Sequence, residues 1–375
     1  MKVAKSQYTF DQFVNYLVEN EQEVFGSGER KQWLKVYLIH AKEDWKPLFE
    51  KFHQTKLGEI LKISIQTEDL KKPVDFYIYE WSPKFLMFFT SSRREEYEKT
   101  LSKFIKFNRG ISEMWINPDI FLKVKNYLLD EYHANVYKFI SRRSSLSEIY
   151  AELRPDVDKR LSYTGEDATT VIKEVQKSYG VVPDSISFRI GFQKIQITSS
   201  GMFRFLSVNE LSINILRDIL KVLTDPQKMI RTVADSICSK TKVVRIGETS
   251  VPTVDVVSGI IKLQNIKLNK YIVEKFFKQE NVFIKRPREF WSSEEEIEFS
   301  FINTSIMEGS FSFSATVVDD IKGTMFGIIG STDQLTLIPM HRTTFESFLR
   351  FYRLIIESLD NDARFNVLPS STTVQ

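Results

Sequence analysis

The sequence predicts an α+β fold of antiparallel β-meanders each backed by a helix, in two lobes with an additional βαβ-like segment. Three observations predict it. Three short strands followed by an amphipathic helix recur three times along the chain. The strands alternate apolar and polar residues, the mark of sheets with unlike faces. Bulky filler is abundant, with 30 Phe and 14 Tyr against 14 Gly in 375 residues, a length that suits two domains of roughly 100–200 residues each.

The first element is a helix, because Phe10, Phe13, Val14, Leu17 and Val18 form one stripe. Thr9 and Gln12 have the spacing of a capping box. Trp33 to Ile39 reads as a strand, and Trp45, Leu48, Phe49 and Phe52 as a second helix, with His53 at its end. The first meander is Leu61–Gln66, Asp75–Trp81 and Phe85–Thr90, followed by a helix carrying Tyr97, Leu101 and Phe104. Ile111–Ile116, a helix started by Asn117 and Pro118, and Val136–Ile140 make the βαβ-like segment.

The second meander is Ser187–Ile190, Lys194–Thr198 and Met202–Ser207. Its helix is capped by Asn209 and stopped at Pro226. Val243–Leu268 is β-rich, and Tyr271–Lys278 is a short helix. The third meander is Ser310–Asp319, Thr324–Ile329 and Gln334–Ile338. A helix capped by Thr343 and Glu346 follows. The expected lobes are 1–150 and 165–362, with 363–375 a flexible tail.

Composition removes several classes of chemistry. Net charge is +3, from 52 Lys plus Arg against 49 Asp plus Glu, so there is no strong overall field. One cysteine, Cys238, forms no internal disulfide or Cys-rich zinc site, and the four histidines are scattered. Neither a phosphate-binding Gly-rich loop with its lysine nor a dinucleotide fingerprint occurs, and there is no Gly-x-Ser-x-Gly elbow. Met1–Gln12 has no apolar run behind its lysines, and no stretch approaches the ~18 apolar residues of a membrane span. A cytoplasmic chain is therefore expected, and its Lys, Ile, Phe and Asn bias suits a prokaryotic source.

A divalent-metal nuclease needs an acid and an acid-x-lysine on adjacent strands. The nearest imitation is Asp75 and Glu80 with Lys84, where the lysine comes late and the acids point to opposite faces. Asp319-Asp320 reads as a hairpin turn, and Glu294–Glu296 as a solvated run.

Binding surfaces have more support. Tyr77, Tyr79 and Trp81 share a strand face and would stack on unpaired bases if that face were open. The wholly apolar Phe85–Phe89 argues that the sheet is covered on both sides. Basic groups at element ends suit anions: Arg93 and Arg94, Arg142 and Arg143, Lys159 and Arg160, and Lys285, Arg286 and Arg288. Four hydroxyls, Ser310, Ser312, Ser314 and Thr316, share one face of a strand.

The leading expectation is a non-catalytic intracellular binding or scaffold protein engaging nucleic acid or a protein partner. An accessory subunit in prokaryotic nucleic-acid processing or defence would fit. The alternatives are a divalent-metal-dependent nuclease or other phosphodiesterase, and an oligomerising structural protein. No catalytic residue, cofactor, resident metal or membrane partner is expected; a homo-oligomer is compatible with the aromatic surplus.

Overall fold

The computed structural model describes residues 7–27, 31–144, 146, 151–153, 158–246, 249–278, 299–307, 309–340 and 342–368, with backbone alone over 240–246 and 249–255. The fold is α+β, and every strand ladder among these residues is antiparallel. The chain divides into two compact units, drawn mainly from Met1–Arg143 with Tyr150–Asp225, and from Pro226–Lys285 with Glu295–Gln375.

The first unit begins with α1 (Phe10–Glu19) and α2 (Glu21–Phe25), then β1 (Leu34–Ala41) and a 3₁₀ turn (Lys46–Phe49). The strands β2 (His53–Leu57), β3 (Ile60–Ile65), β4 (Val74–Ser82) and β5 (Phe85–Thr90) form a meander. Next, α3 (Arg94–Tyr97) runs through a π-turn (Glu98–Ser102) into α4 (Lys103–Phe107). After β6 (Ile111–Glu113) come α5 (Pro118–Glu131), β7 (Asn135–Arg143), β8 (Lys159–Thr164) and α6 (Ala168–Tyr179). A second meander, β9 (Val182–Ile190), β10 (Gln193–Thr198) and β11 (Met202–Phe205), leads into α7 (Glu210–Ser236). All eleven strands join one sheet in the order β2-β3-β4-β5-β1-β11-β10-β9-β7-β8, with β6 beside β1.

Local chemistry explains the starts of the helices. Thr9 accepts from the Gln12 amide, and the Gln12 side chain accepts from the Thr9 amide, closing the capping box of α1. Asn117 accepts from the Ile120 amide ahead of Pro118, and Asn209 from the Ser212 amide. Core packing then fixes the layers. On one face of the sheet, Tyr37, Ile39, Ile63, Phe76, Ile78 and Phe88 pack with Trp45, Phe49, Tyr97, Leu101 and Phe104. On the other, α1 lays Phe13 against Tyr77 and Phe89, with ring centroids 5.6 and 5.4 Å apart.

Several expectations are corrected here. The stretch 150–165, expected to separate two lobes, itself contains β8, which pairs with β7 inside one sheet. The βαβ-like segment is present as β6, α5 and β7, with β6 paired to β1 and β7 to β8 and β9. The second helix is only a 3₁₀ turn, and His53 begins β2. Pro226 does not stop α7. A proline removes one backbone bond, but the buried Leu220, Leu223, Gln227 and Arg231 anchor the turns on both sides of it.

The second unit continues from α7 into a hairpin of β12 (Cys238–Ile246) and β13 (Thr249–Val257), then β14 (Gly259–Lys262) and α8 (Lys270–Phe277). After β15 (Phe299–Met307) come β16 (Ser312–Asp319), β17 (Thr324–Gly330), β18 (Gln334–Pro339), α9 (Phe345–Ser358) and β19 (Arg364–Val367). The sheet order is β15-β16-β17-β18-β14-β19. Thr344, not Thr343, occupies the cap position of α9, since the Thr343 hydroxyl is taken by the Met325 and Met340 carbonyls. Arg364–Val367, expected to belong to a flexible tail, is an edge strand. Phe365 anchors it, stacked on Tyr352 at 5.0 Å. Residues 369–375 lie outside the described residues.

Candidate functional site

The second meander has two chemically opposite faces. Side chains alternate along a strand, and directly paired residues share a face. One face carries Phe203, Ile197, Ile186 and Phe139, then Phe205, Ile195, Phe188 and Val136, all buried. The other carries rows of polar groups. Register places Arg204, Gln196, Ser187 and Lys138 in one row, and Lys194 and Arg189 in the next. A third row holds Met202, Thr198, Ser185 and Ile140.

The row of Arg204 continues onto β1, where Lys35 lies directly opposite it. Two cations are thus held side by side in the middle of an eleven-stranded sheet. Arg204 lies 3.6 Å from the centroid of the Trp33 ring, and the Lys35 ammonium donates to the Ser92 carbonyl. Burial, then repulsion from Arg204, pushes Lys35 down from its usual 10.5 to about 8, with Glu96 acting weakly the other way. Burial likewise lowers Arg204 to about 10, against the favourable influence of Tyr137 and Tyr37. Both stay protonated at neutral pH, so two positive charges sit at the centre of the face.

Toward the β9–β10 hairpin the face opens. Arg189 is exposed, and Lys194, Lys138, Tyr137 and Trp33 are half-buried. The Arg189 guanidinium and the Lys194 ammonium lie 5.6 and 5.8 Å from the centroid of the Tyr137 ring. Glu166, highly exposed itself, lies 3.8 Å from Arg189 at this rim. Chemically, the arrangement offers cations for phosphate or carboxylate oxygens beside flat rings.

Of the residues singled out in the sequence, Arg142 falls on this face. It pairs in register with Arg160, and its Nη2 lies 3.4 Å from the buried Asp184 carboxylate. Ser199 also donates to that carboxylate. Arg143 points to the opposite face and is buried. Arg94 pairs with Glu98 one helical turn away, while Arg93 precedes α3 as an exposed cap residue. Lys285, Arg286 and Arg288 lie outside the described residues.

The open aromatic face considered for Tyr77, Tyr79 and Trp81 is closed over at its centre by α1. Tyr77 is 0% exposed, Phe10 stacks on Tyr79 at 4.2 Å, and Trp81 is half-buried near Phe85 at 5.6 Å. Asp75 pairs with Lys62, and Glu80 accepts from the Trp45 indole, so the two acids have separate partners. Asp319 accepts from the Ile321 and Lys322 amides, the geometry of a hairpin turn. Among the described residues no three His, Cys, Asp or Glu side chains converge on a common point, and no helix is long and apolar enough to cross a membrane.

Sequence reading missed Lys35, Lys138, Arg189, Lys194 and Arg204 because it searched for adjacent basic pairs. The signal lies instead in alternation, in Ser187-Phe188-Arg189-Ile190, Lys194-Ile195-Gln196-Ile197-Thr198 and Met202-Phe203-Arg204-Phe205. Each strand contributes single cations, and only register collects them.

The chain is similar to known sequences in two comparisons. A protein-family model described as a family middle domain matches residues 123–200, which run from within α5 to just beyond β10. The chain is also 24% identical over 289 residues to an uncharacterized protein of Archaeoglobus fulgidus, covering 74% of this chain and 73% of the relative.

Proposed function

We propose that the polar face of β1, β11, β10, β9 and β7 binds single-stranded nucleic acid without acting on it chemically. The observation that supports this most is the gathering of cations from five neighbouring strands onto one face, interleaved with Trp33 and Tyr137. Phosphates would be met first by the exposed Arg189 and then by the half-buried Lys194 and Lys138. Lys35 and Arg204, sunk behind them, supply potential more than contact. Unpaired bases present a ring face to an aromatic side chain whatever their sequence, so rings among cations favour a single strand over a duplex.

The test is fluorescence anisotropy of a labelled single-stranded oligonucleotide across a salt series. Phosphate contacts release counterions, so log K should fall linearly with log salt, by about 0.7 per contact on a single strand. Arg189→Ala combined with Lys194→Ala should flatten that slope by about 1.4. Binding indifferent to salt, or an unchanged slope in the double variant, would refute the reading.

A further inference from the structure

The hairpin that joins β9 to β10 presents a second element beside this face. Ile190 pairs with Gln193, leaving only Gly191 and Phe192 in the turn. Gly191 has φ +57° and Phe192 keeps a negative φ, the pattern of a type II′ turn. The base of the hairpin is firm. Ile190 and Gln193 are buried, and the Gln193 amide donates to the Ser207 carbonyl and, at 2.6 Å, to the Ser212 hydroxyl. On that fixed base Phe192 is 105% exposed, the most exposed of the large apolar side chains described. One residue back along each strand stand Arg189 and Lys194, paired in register beside the Tyr137 ring.

We propose that Phe192 is a base-stacking wedge, which slides against an unpaired nucleobase while Arg189 and Lys194 hold the flanking phosphates. This deepens the preceding reading and rests on it. A ring at the apex with one cation on each strand below matches the alternation of base and phosphate along a nucleic-acid strand. An anionic lipid surface fits less well, since stable peripheral binding draws on a broader basic cluster or a whole apolar helix face, whereas this tip has one ring, two cations and the acid Glu166 beside Arg189.

Because Phe192 touches no core, Phe192→Ala and Phe192→Trp should melt like the wild type. The probe is an oligonucleotide of about 16 nucleotides, a length that spans such sites, labelled once with 2-aminopurine. Phe192→Ala should weaken binding by about ten- to a hundredfold, the loss expected for one base stack, with the salt slope unchanged. Phe192→Trp should bind at least as tightly as the wild type, and Phe192→Ala should abolish the 2-aminopurine fluorescence change. If Phe192→Ala binds like the wild type while the Arg189 and Lys194 double variant flattens the slope, the wedge is refuted and the face survives. If the wild type binds no oligonucleotide at low salt, both fall. Flotation of the wild type, but not Phe192→Ala, with phosphatidylserine-containing vesicles in the absence of oligonucleotide binding would assign the tip to a membrane and overturn the proposal.

Discussion

Lys35→Met removes one of the two cations at the centre of the sheet while keeping side-chain length and volume. Lys35 titrates near 8 instead of 10.5 in the folded chain, chiefly through burial and secondarily through Arg204. Such a depression corresponds to about 3 kcal/mol by which folding disfavours the ammonium relative to the neutral amine. The sign follows from proton counting. Between pH 8 and 10.5 the unfolded chain holds more protons at this site than the folded chain, so stability rises with pH through that window. Below pH 8 both states are protonated and the full penalty is present. Above 10.5 both are neutral and the penalty is gone, while the neutral amine still donates to the Ser92 carbonyl. The assay is chemical denaturation of wild type and variant at closely spaced pH values, reading the difference between them so that other titrating groups cancel. Relative to Lys35→Met, the wild type should gain about 3 kcal/mol on passing from pH 7 to above 10.5, with most of the change inside the window. A flat difference, or one that moves the other way, would refute the claim that Lys35 is held charged against a desolvated neighbour.

Other perturbations test the framework of each unit. Gly201 has φ +73°, and a Cβ there would lie 2.4 Å from the Met114 carbonyl oxygen, so Gly201→Ala should cost about 2–4 kcal/mol by urea denaturation. Asp319, fully buried, bonds Arg350 and two turn amides. Asp319→Ala strands the arginine and should cost about 3–5 kcal/mol, and a loss under 1 kcal/mol would show that the buried pair contributes little. Arg189→Ala and Lys194→Ala, by contrast, should change stability by no more than about 0.5 kcal/mol while flattening the salt dependence of oligonucleotide binding.

Short-range signals carried most of what could be read from the sequence. The Thr9–Gln12 box, the Asn117 cap and the three meanders depend on residues within a few positions of one another, and each forms where its pattern lies. Long-range pairing was illegible. Nothing local tells β1 to sit between β5 and β11, and that placement alone brings Lys35 against Arg204. The stripe of α1 was plain, but not that it would cover Tyr77. Pro226 misled because the breaking rule is local, whereas the burial that carries α7 past it is not. Of the polar face, only Arg142 and Arg160 stood out, as members of adjacent basic pairs. Dispersed single cations have no linear signature.

The two-residue turn at Gly191-Phe192 also sets the phase of the sheet. Because it is so short, it dictates which residues of β9 and β10 stand opposite each other, and a step of one position exchanges the faces of a strand. If the turn stayed at two residues, insertion of a single residue after Phe192 would slip the register and carry Lys194, Gln196 and Thr198 to the aliphatic face, whereas a three-residue loop would absorb it with the pairing kept. Insertion of two would keep every side chain on its own face and lengthen only the loop. The turn should therefore tolerate added residues as long as Ile190 stays opposite Gln193, and the change the pleat forbids is a slip of the strands by one position.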